Sequence, residues 1–292
     1  MRDRLVLERL SMAANQRGNK LAVLSADRLA DVKQDFDALG VDTSPYYRFE
    51  PRNDLGFMAR SVIAVASPGP VSSVAFTVEG RKRVAVIPPS YVDADIEESA
   101  LLDFLLKTLG EHSFAVARAD RLPCKPIAIH AGLGFFGRNN LVYVDSMGSF
   151  NRLSLFFSDI PCPNELFFPL LRHGTCRHCS RCIDNCPTGA LNHQSALFDA
   201  DHCLTMANEG AEAFPDWVNP EWHHAIVGCM KCQCVCPMNE PYGKNCDVIT
   251  TYNEEQTRVF MDGEQADELL SPLGLGHYNK ILPRNIAALL RL

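Results

Sequence analysis

Residues 175–191 read TCRHCSRCIDNCPTGAL and carry four thiols, Cys176, Cys179, Cys182 and Cys186, with Pro187 directly after the last. Thiols this dense suit a metal, and paired C-x2-C motifs are the usual signature of zinc. This run has another form. C-x2-C-x2-C-x3-C-P is the bacterial ferredoxin run, in which three closely spaced thiolates wrap one 4Fe–4S cubane and the fourth ligates a second cluster. The proline turns the chain away and aims that fourth sulfur elsewhere. The stretch is therefore incomplete alone and predicts a second cysteine group downstream, also ending in Cys-Pro.

That group is GCMKCQCVCPMN, with Cys229, Cys232, Cys234 and Cys236 before Pro237. Each cubane takes four thiolates. One cluster is assigned Cys176, Cys179, Cys182 and Cys236, and the other Cys186, Cys203, Cys229 and Cys232, with Cys234 a bystander. Spacing alone leaves the last ligand open between Cys234 and the isolated Cys203 of DADHCLTMANEG. The scattered Cys124, Cys162 and Cys246 read as small buried or half-buried hydrophobes.

The composition sets the surroundings of these thiols. A chain of 292 residues with 47% apolar content has enough material for one large or two smaller cores. No stretch approaches the roughly 18 consecutive apolar residues of a membrane span. The start, MRDRLVLERLSMAANQRGNK, is charged throughout and lacks the apolar core of a secretion signal, so a cytoplasmic protein is expected. Twelve cysteines in a reducing compartment are then metal or cluster ligands before they are disulfides. A net charge of -7 offers no overall basic field for nucleic acid, although it leaves room for a local patch.

The elements that must position the thiols are legible in outline. Residues 1–45 read as helical, with apolar positions at mixed three and four spacing. RSVIAVASP (60–68) and RVAVIPP (83–89) are β-branched runs bounded by proline, as buried strands are. ADIEESALLDFLLKTLGEH (94–112) is an amphipathic helix ending near Gly110. NLVYVDSMGSFNRLSLFFSD (140–159) reads as two strands about a turn at Ser146 to Gly148, and DIPCPNELFFPL as a Pro-rich hinge.

Within the first part, AGLGFFGRNN places Gly132, Gly134 and Gly137 in a G-x-G-x-x-G pattern. A dinucleotide site needs a strand before this pattern and an acidic residue at a strand end some 20 residues on, and neither is evident. The glycines instead form a tight turn or let the backbone approach something flat, with Arg138, Asn139, Asn140, Gly148 and Ser149 as nearby donors. His223 and His224 are adjacent and share no face, so hydrogen bonding is expected of them before metal binding.

The order ARSVIAVASP, AGLGFFGRNN, GSFNRLSLFFSD, CRHCSRCIDNCPTGAL, a lone Cys203 and GCMKCQCVCPMN resembles the epoxyqueuosine reductase family, relatives of the reductive dehalogenases, over residues 55–240. The resemblance implies an α+β chain. A nitroreductase-like α/β N-terminal domain (1–163) binds cobalamin, a bacterial ferredoxin-like double 4Fe–4S domain (164–248) feeds it electrons, and a short helical tail (249–292) follows. It places the eight ligands on Cys176, Cys179, Cys182, Cys186, Cys203, Cys229, Cys232 and Cys236, and cobalamin contacts on the glycine motif, Arg138, Asn139, Asn140, Gly148 and Ser149. It also implies an external low-potential electron donor and a catalytic acid at Asp120, which has Pro123 three residues on in ADRLPCKP.

The sequence departs from the family in two places. The stretch from Asp120 to the glycine motif is about two residues short of the family pattern. The family continues into helical repeats that grip transfer RNA, whereas DELLSPLGLGHYNKILPRNIAALLRL resembles only their start. A transfer RNA partner is weakened accordingly, and a small-molecule or modified-nucleoside substrate is expected of a cobalamin-dependent iron–sulfur reductase. The alternative is a ferredoxin-type electron-transfer protein or reductase subunit, flavin-binding or not, without cobalamin; a sensor or scaffold whose clusters report redox state is the third class.

Overall fold

The computed structural model describes residues 2–162, 167–193, 197–242, 246–262 and 267–290. The chain opens with α1 (Arg2–Gln16), β1 (Lys20–Ser25) and α2 (Leu29–Ala38). Next come β2 (Ser61–Pro68), β3 (Val71–Val78), β4 (Arg81–Ile87), α3 (Ala94–Gly110), β5 (Val116–Arg118) and α4 (Cys124–His130). A hairpin of β6 (Gly134–Phe136) and β7 (Val142–Val144) leads to β8 (Asn151–Ser158).

Four of these strands form an antiparallel sheet in the order β1-β2-β8-β5. Its central strand β2 is buried on both faces, which is why it reads as a continuous apolar run. Ile63 and Val65 point to one face, where they meet Val6 and Leu10 of α1 and Leu101, Leu105 and Leu109 of α3. Val62 and Ala64 point to the other, against Leu29 and Val32 of α2 and Ile127 of α4. Helices on both faces of one sheet make a mixed α/β unit, as expected.

The expectation of helix throughout residues 1–45 is corrected by β1. Gly18, at φ +80°, closes α1, and KLAVLS then pairs along its whole length with β2. The six residues are too few for a period of their own, and pairing with a distant strand decides their state.

A second core lies beside the first. β3 pairs antiparallel with β4 and parallel with β9 (Cys246–Tyr252), a strand of the expected helical tail. The expected boundary at 248/249 falls inside β9, while that at 163/164 lies outside the described residues. Phe76 of β3 stacks on Tyr252 at 5.4 Å and meets Phe260 of the following helix edge-on at 6.0 Å. Leu282, Ile286 and Leu289 from the last helix close this core over Ile226 and Val227, just before the second cysteine run. Among the described residues no helix is long and apolar enough to cross a membrane.

Candidate functional site

The two cysteine runs fold into matching turns. Each holds a single-turn helix, Arg181–Asp184 in the first and Lys231–Cys234 in the second, entered through Ser180 (φ -120°, ψ 2°) and Met230 (φ -117°, ψ 2°). Laid on one another, they match Cys179 with Cys229, Cys182 with Cys232, and Cys186 with Cys236. Asn185 Nδ2 donates to Lys231 O at 2.6 Å and ties the two turns together. Cys234 then falls opposite Asp184, and the partner of Cys176 is Ile226, a wholly buried core residue. The second run therefore lacks a thiol at its own first position, and Cys203 lines the same cavity as Cys229 and Cys232.

Neighbouring charges sort the thiols in the same way. Burial raises Cys182 to about 11, with Cys236 and Cys176 adding to the shift. Burial raises Cys229 to about 12, with Cys203 and Cys186 as its sulfur neighbours. Cys232, also raised by burial, feels Cys229 and Cys203 first and Cys182 more weakly, which places it between the two groups. Cys234 faces Cys246 instead, and both are exposed. The expectation that Cys246 is buried is thus corrected: it opens the strand β9 at its exposed end.

Among the described residues no three Cys, His, Asp or Glu side chains converge tightly enough to hold one ion. Cys186, Cys203, Cys229 and Cys232 instead line one cavity of about 350 Å³.

The glycine motif is a hairpin, not a strand-to-helix turn. Gly134 and Gly137 are required by close packing: a Cβ on Gly134 would stand 2.2 Å from Tyr143 O, and one on Gly137 2.5 Å from Asn139 Oδ1. Gly132, at φ +90°, leads into the hairpin against Phe168, and Gly148 turns tightly beside Asn239.

The RNN tip spans both thiol groups. Arg138 Nη1 donates to Cys179 O at 3.0 Å. Asn139 Nδ2 donates to Tyr143 Oη at 3.0 Å, with its amide facing Cys232, while the Tyr143 hydroxyl reaches Cys236. Asn140, in the left-handed region, lines the thiol cavity. Ser149 Oγ donates to Gln233 Oε1 at 2.9 Å, and its N–H donates to Asn239 Oδ1 at 2.8 Å.

A second cavity of about 400 Å³ adjoins the first, sharing Ser90, Lys125, Leu141 and Gln233 with it. Ser149, Asn151 and Arg152 line it on the α/β side. Asn139 Oδ1, at the first cavity, and Arg152 Nε, at the second, are buried with no hydrogen-bond partner among the described residues. Sequence reasoning missed Lys125, Tyr91 and Glu209, which meet in the wall of the first cavity. Burial lowers the Lys125 ammonium, opposed by Cys203 and Cys232, and raises the Glu209 carboxyl, onto which the Tyr91 hydroxyl donates. Their only sequence signal is a lysine between two prolines in PCKP, too weak to single out.

Asp120 lies apart from both cavities. Its carboxylate pairs with Arg52 Nη1 at 3.1 Å and its side chain is 54% exposed, in the loop that enters α4 five residues before Lys125. His224 Nε2 accepts from Met230 N–H at 3.1 Å, and so helps hold the second cysteine turn by hydrogen bonding.

Residues 175–239 match the 4Fe-4S double cluster binding domain, so the two-cluster character stands on that segment. The chain is 29% identical over 185 residues to the epoxyqueuosine reductase of Bacillus subtilis, an alignment covering 63% of this chain and 44% of that one. It thus spans less than half the length of that relative. A solved structure of the Bacillus subtilis enzyme, with an aspartate-bearing catalytic loop swung out of the active site, superposes on 99% of this chain and 82% of its own at TM-score 0.69 and 20% identity. An epoxyqueuosine reductase solved with a modified tRNA stem loop gives TM-score 0.69 at 20% identity, covering 99% of this chain and 81% of that one. The chain is similar in sequence to the epoxyqueuosine reductases and has their fold.

Proposed function

We propose that this relative of the epoxyqueuosine reductases is an iron–sulfur reductase that works with cobalamin on a small electrophile, a modified nucleoside included. The observation that carries the reading is the continuity of the cavity lined by Cys186, Cys203, Cys229 and Cys232 with the one lined by Lys125, Ser149, Asn151 and Arg152. A ligand in the second cavity is within reach of the inner thiol group and shielded by the α/β unit.

Cys176, Cys179, Cys182 and Cys236 would hold the outer 4Fe–4S cluster and Cys186, Cys203, Cys229 and Cys232 the inner one. The residues of the two adjoining spaces fit a corrin: Arg152 Nε in the second and Asn139 Oδ1 in the first, both without a partner among the described residues, are hydrogen-bonding groups suited to its amide-bearing rim. When bound, clusters and corrin together supply single electrons and a strongly reducing cobalt centre. The chain's own part is to bind, orient and protonate. Lys125 Nζ presents a buried positive charge to that space, and Gln233 and Ser149 brace the second cysteine turn against it. Asp120 is the proposed proton source. Its carboxylate must leave Arg52 and move inward, a reading supported by the swung-out aspartate loop of the Bacillus subtilis enzyme.

Anaerobic reconstitution with iron and sulfide, followed by cob(II)alamin titration under electron paramagnetic resonance, tests the reading. About eight irons per chain and a changed cobalt coordination are expected. Full iron loading with an unperturbed cobalt signal would overturn the cobalamin assignment and leave a two-cluster electron carrier.

A further inference from the structure

Individual thiols differ in the exposure of their flanks. Cys229 sits in a stretch whose neighbours Ile226, Val227, Gly228 and Met230 are all buried, and burial dominates its surroundings. Cys176 lies between the exposed Thr175 and Arg177, with His178 exposed after them. The loop of Cys176 and Cys179 thus offers an entering electron a route from solvent through the outer group.

That same surface carries a charge opposite to the whole. From Phe167 to Ile183 the sequence holds Arg172, Arg177 and Arg181 and no acidic residue, in a chain of net charge -7. Arg138 reaches the patch from the hairpin tip, and together with Arg172, His173, Cys176 and Arg177 it lines a shallow cleft of about 290 Å³. Among the described residues no acidic side chain forms an ion pair with Arg138, Arg177 or Arg181. The nearest acid along the chain, Asp184, accepts from Ser180 Oγ at 2.5 Å and lies 3.6 Å from His193. Exposed cations such as Arg177 and Arg181, with no ion pair among the described residues, add little to folding, and their surface field steers an oppositely charged partner into one orientation.

We propose that the arginine patch around Cys176 and Cys179 is the docking surface for an acidic one-electron carrier protein of the ferredoxin kind. The inference rests on the two-cluster part of the reading above and is independent of cobalamin. Each encounter moves one electron: the carrier's reduced iron–sulfur centre is oxidised by one electron, the outer cluster is reduced by one, and no bond or proton changes place. An RNA backbone would meet the same cations. A phosphate-binding face, however, has no reason to centre on the outer cysteine loop, whereas a redox partner must come close to it.

The test uses anaerobically reconstituted full-length protein and an acidic ferredoxin. Calorimetric binding of the oxidised ferredoxin and stopped-flow reduction by its reduced form are measured against salt, for wild type, the double variant Arg177→Glu/Arg181→Glu, and the milder Arg177→Gln/Arg181→Gln. Iron content shows that the clusters still load, and photoreduced deazaflavin, a small donor without an acidic surface, serves as control. The charge-reversed variant should lose on the order of tenfold or more in affinity and rate at low salt, the neutral variant less, with deazaflavin reduction unchanged. Wild-type association should weaken steeply as salt rises. Unchanged ferredoxin binding in a loaded variant would overturn the proposal. So would loss of affinity for a tRNA anticodon stem loop with ferredoxin binding intact, which would mark the patch as a phosphate-binding face. A wild type that docks ferredoxin but leaves cob(II)alamin unperturbed would sink the cobalamin reading alone; one that perturbs cobalt but ignores ferredoxin would sink this one alone.

Discussion

Single residues decide which thiols hold iron and how readily the clusters accept electrons. Cys203 and Cys234 are the discriminating pair, since only Cys203 lines the inner cavity. Cys203→Ala should leave the inner cluster incomplete and lower iron to about half, while Cys234→Ala should load fully; iron analysis and low-temperature electron paramagnetic resonance read both. Lys125 lies beside Cys203 and Cys232, which oppose the lowering of its ammonium by burial, and a cation there would favour the reduced, more negative cluster. Replacing it with methionine keeps most of the volume and removes the charge. In a potentiometric titration the inner cluster of Lys125→Met should become harder to reduce by about a factor of ten, or roughly 59 mV, while the outer one stays put. Equal shifts of both clusters would show that the charge is not local. The spacing of the cysteines was readable because it is set within one turn of chain. Lys125 was not, since its meaning comes from a cavity wall built by residues distant in sequence.

At the scale of elements, the hairpin of β6 and β7 joins the α/β unit to the cysteine turns. Its strands approach so closely that Gly134 admits no side chain. Gly134→Ala must push Tyr143 aside and carry Asn139 and Arg138 with it. Thermal unfolding should fall by several degrees, and cluster loading should fall too, in a variant whose substitution touches no ligand. The pattern AGLGFFGRNN was visible in sequence, and its context already argued against a dinucleotide site; that its tip braces the cysteine loops emerged only with the fold. β9 is a second case. CDVITTY is mostly exposed and lacks clean alternation, and its strand state follows from pairing with β3. Phe260 locks that pairing by packing edge-on against both Phe76 and Tyr252. Phe260→Ala should cost about 3–5 kcal/mol, measured by urea unfolding.

Across the whole molecule, metal loading and folding are coupled. Without iron the thiols of Cys182 and Cys229 are held neutral by burial, raised from an ordinary value of 9.0 to about 11 and about 12. A thiol raised in the folded state favours folding fully below its unfolded value and loses that contribution as pH climbs through the folded one. The apo protein should therefore lose thermal stability between about pH 9 and pH 12, which a melting series checks. Cluster binding reverses the preference, because iron takes thiolates and releases their protons. The loaded protein should melt higher than the apo protein at neutral pH, and chelation of its iron should abolish the difference.

By itself the sequence determined the iron–sulfur character, the two-cluster grouping of the first cysteine run and the buried strand at β2; β4 is a strand as expected but an edge one, with Val84 exposed rather than buried. Each is written in a short stretch whose spacing or apolar run carries its own physical reason. The tertiary structure decided what depends on distant partners: β1 as a strand, β9 beside β3, Cys203 in the wall of the cavity that Cys186, Cys229 and Cys232 line, and Lys125 in the wall between two cavities. Burial and strand register are properties of the assembled chain, and residues far apart in sequence acquire them only on meeting.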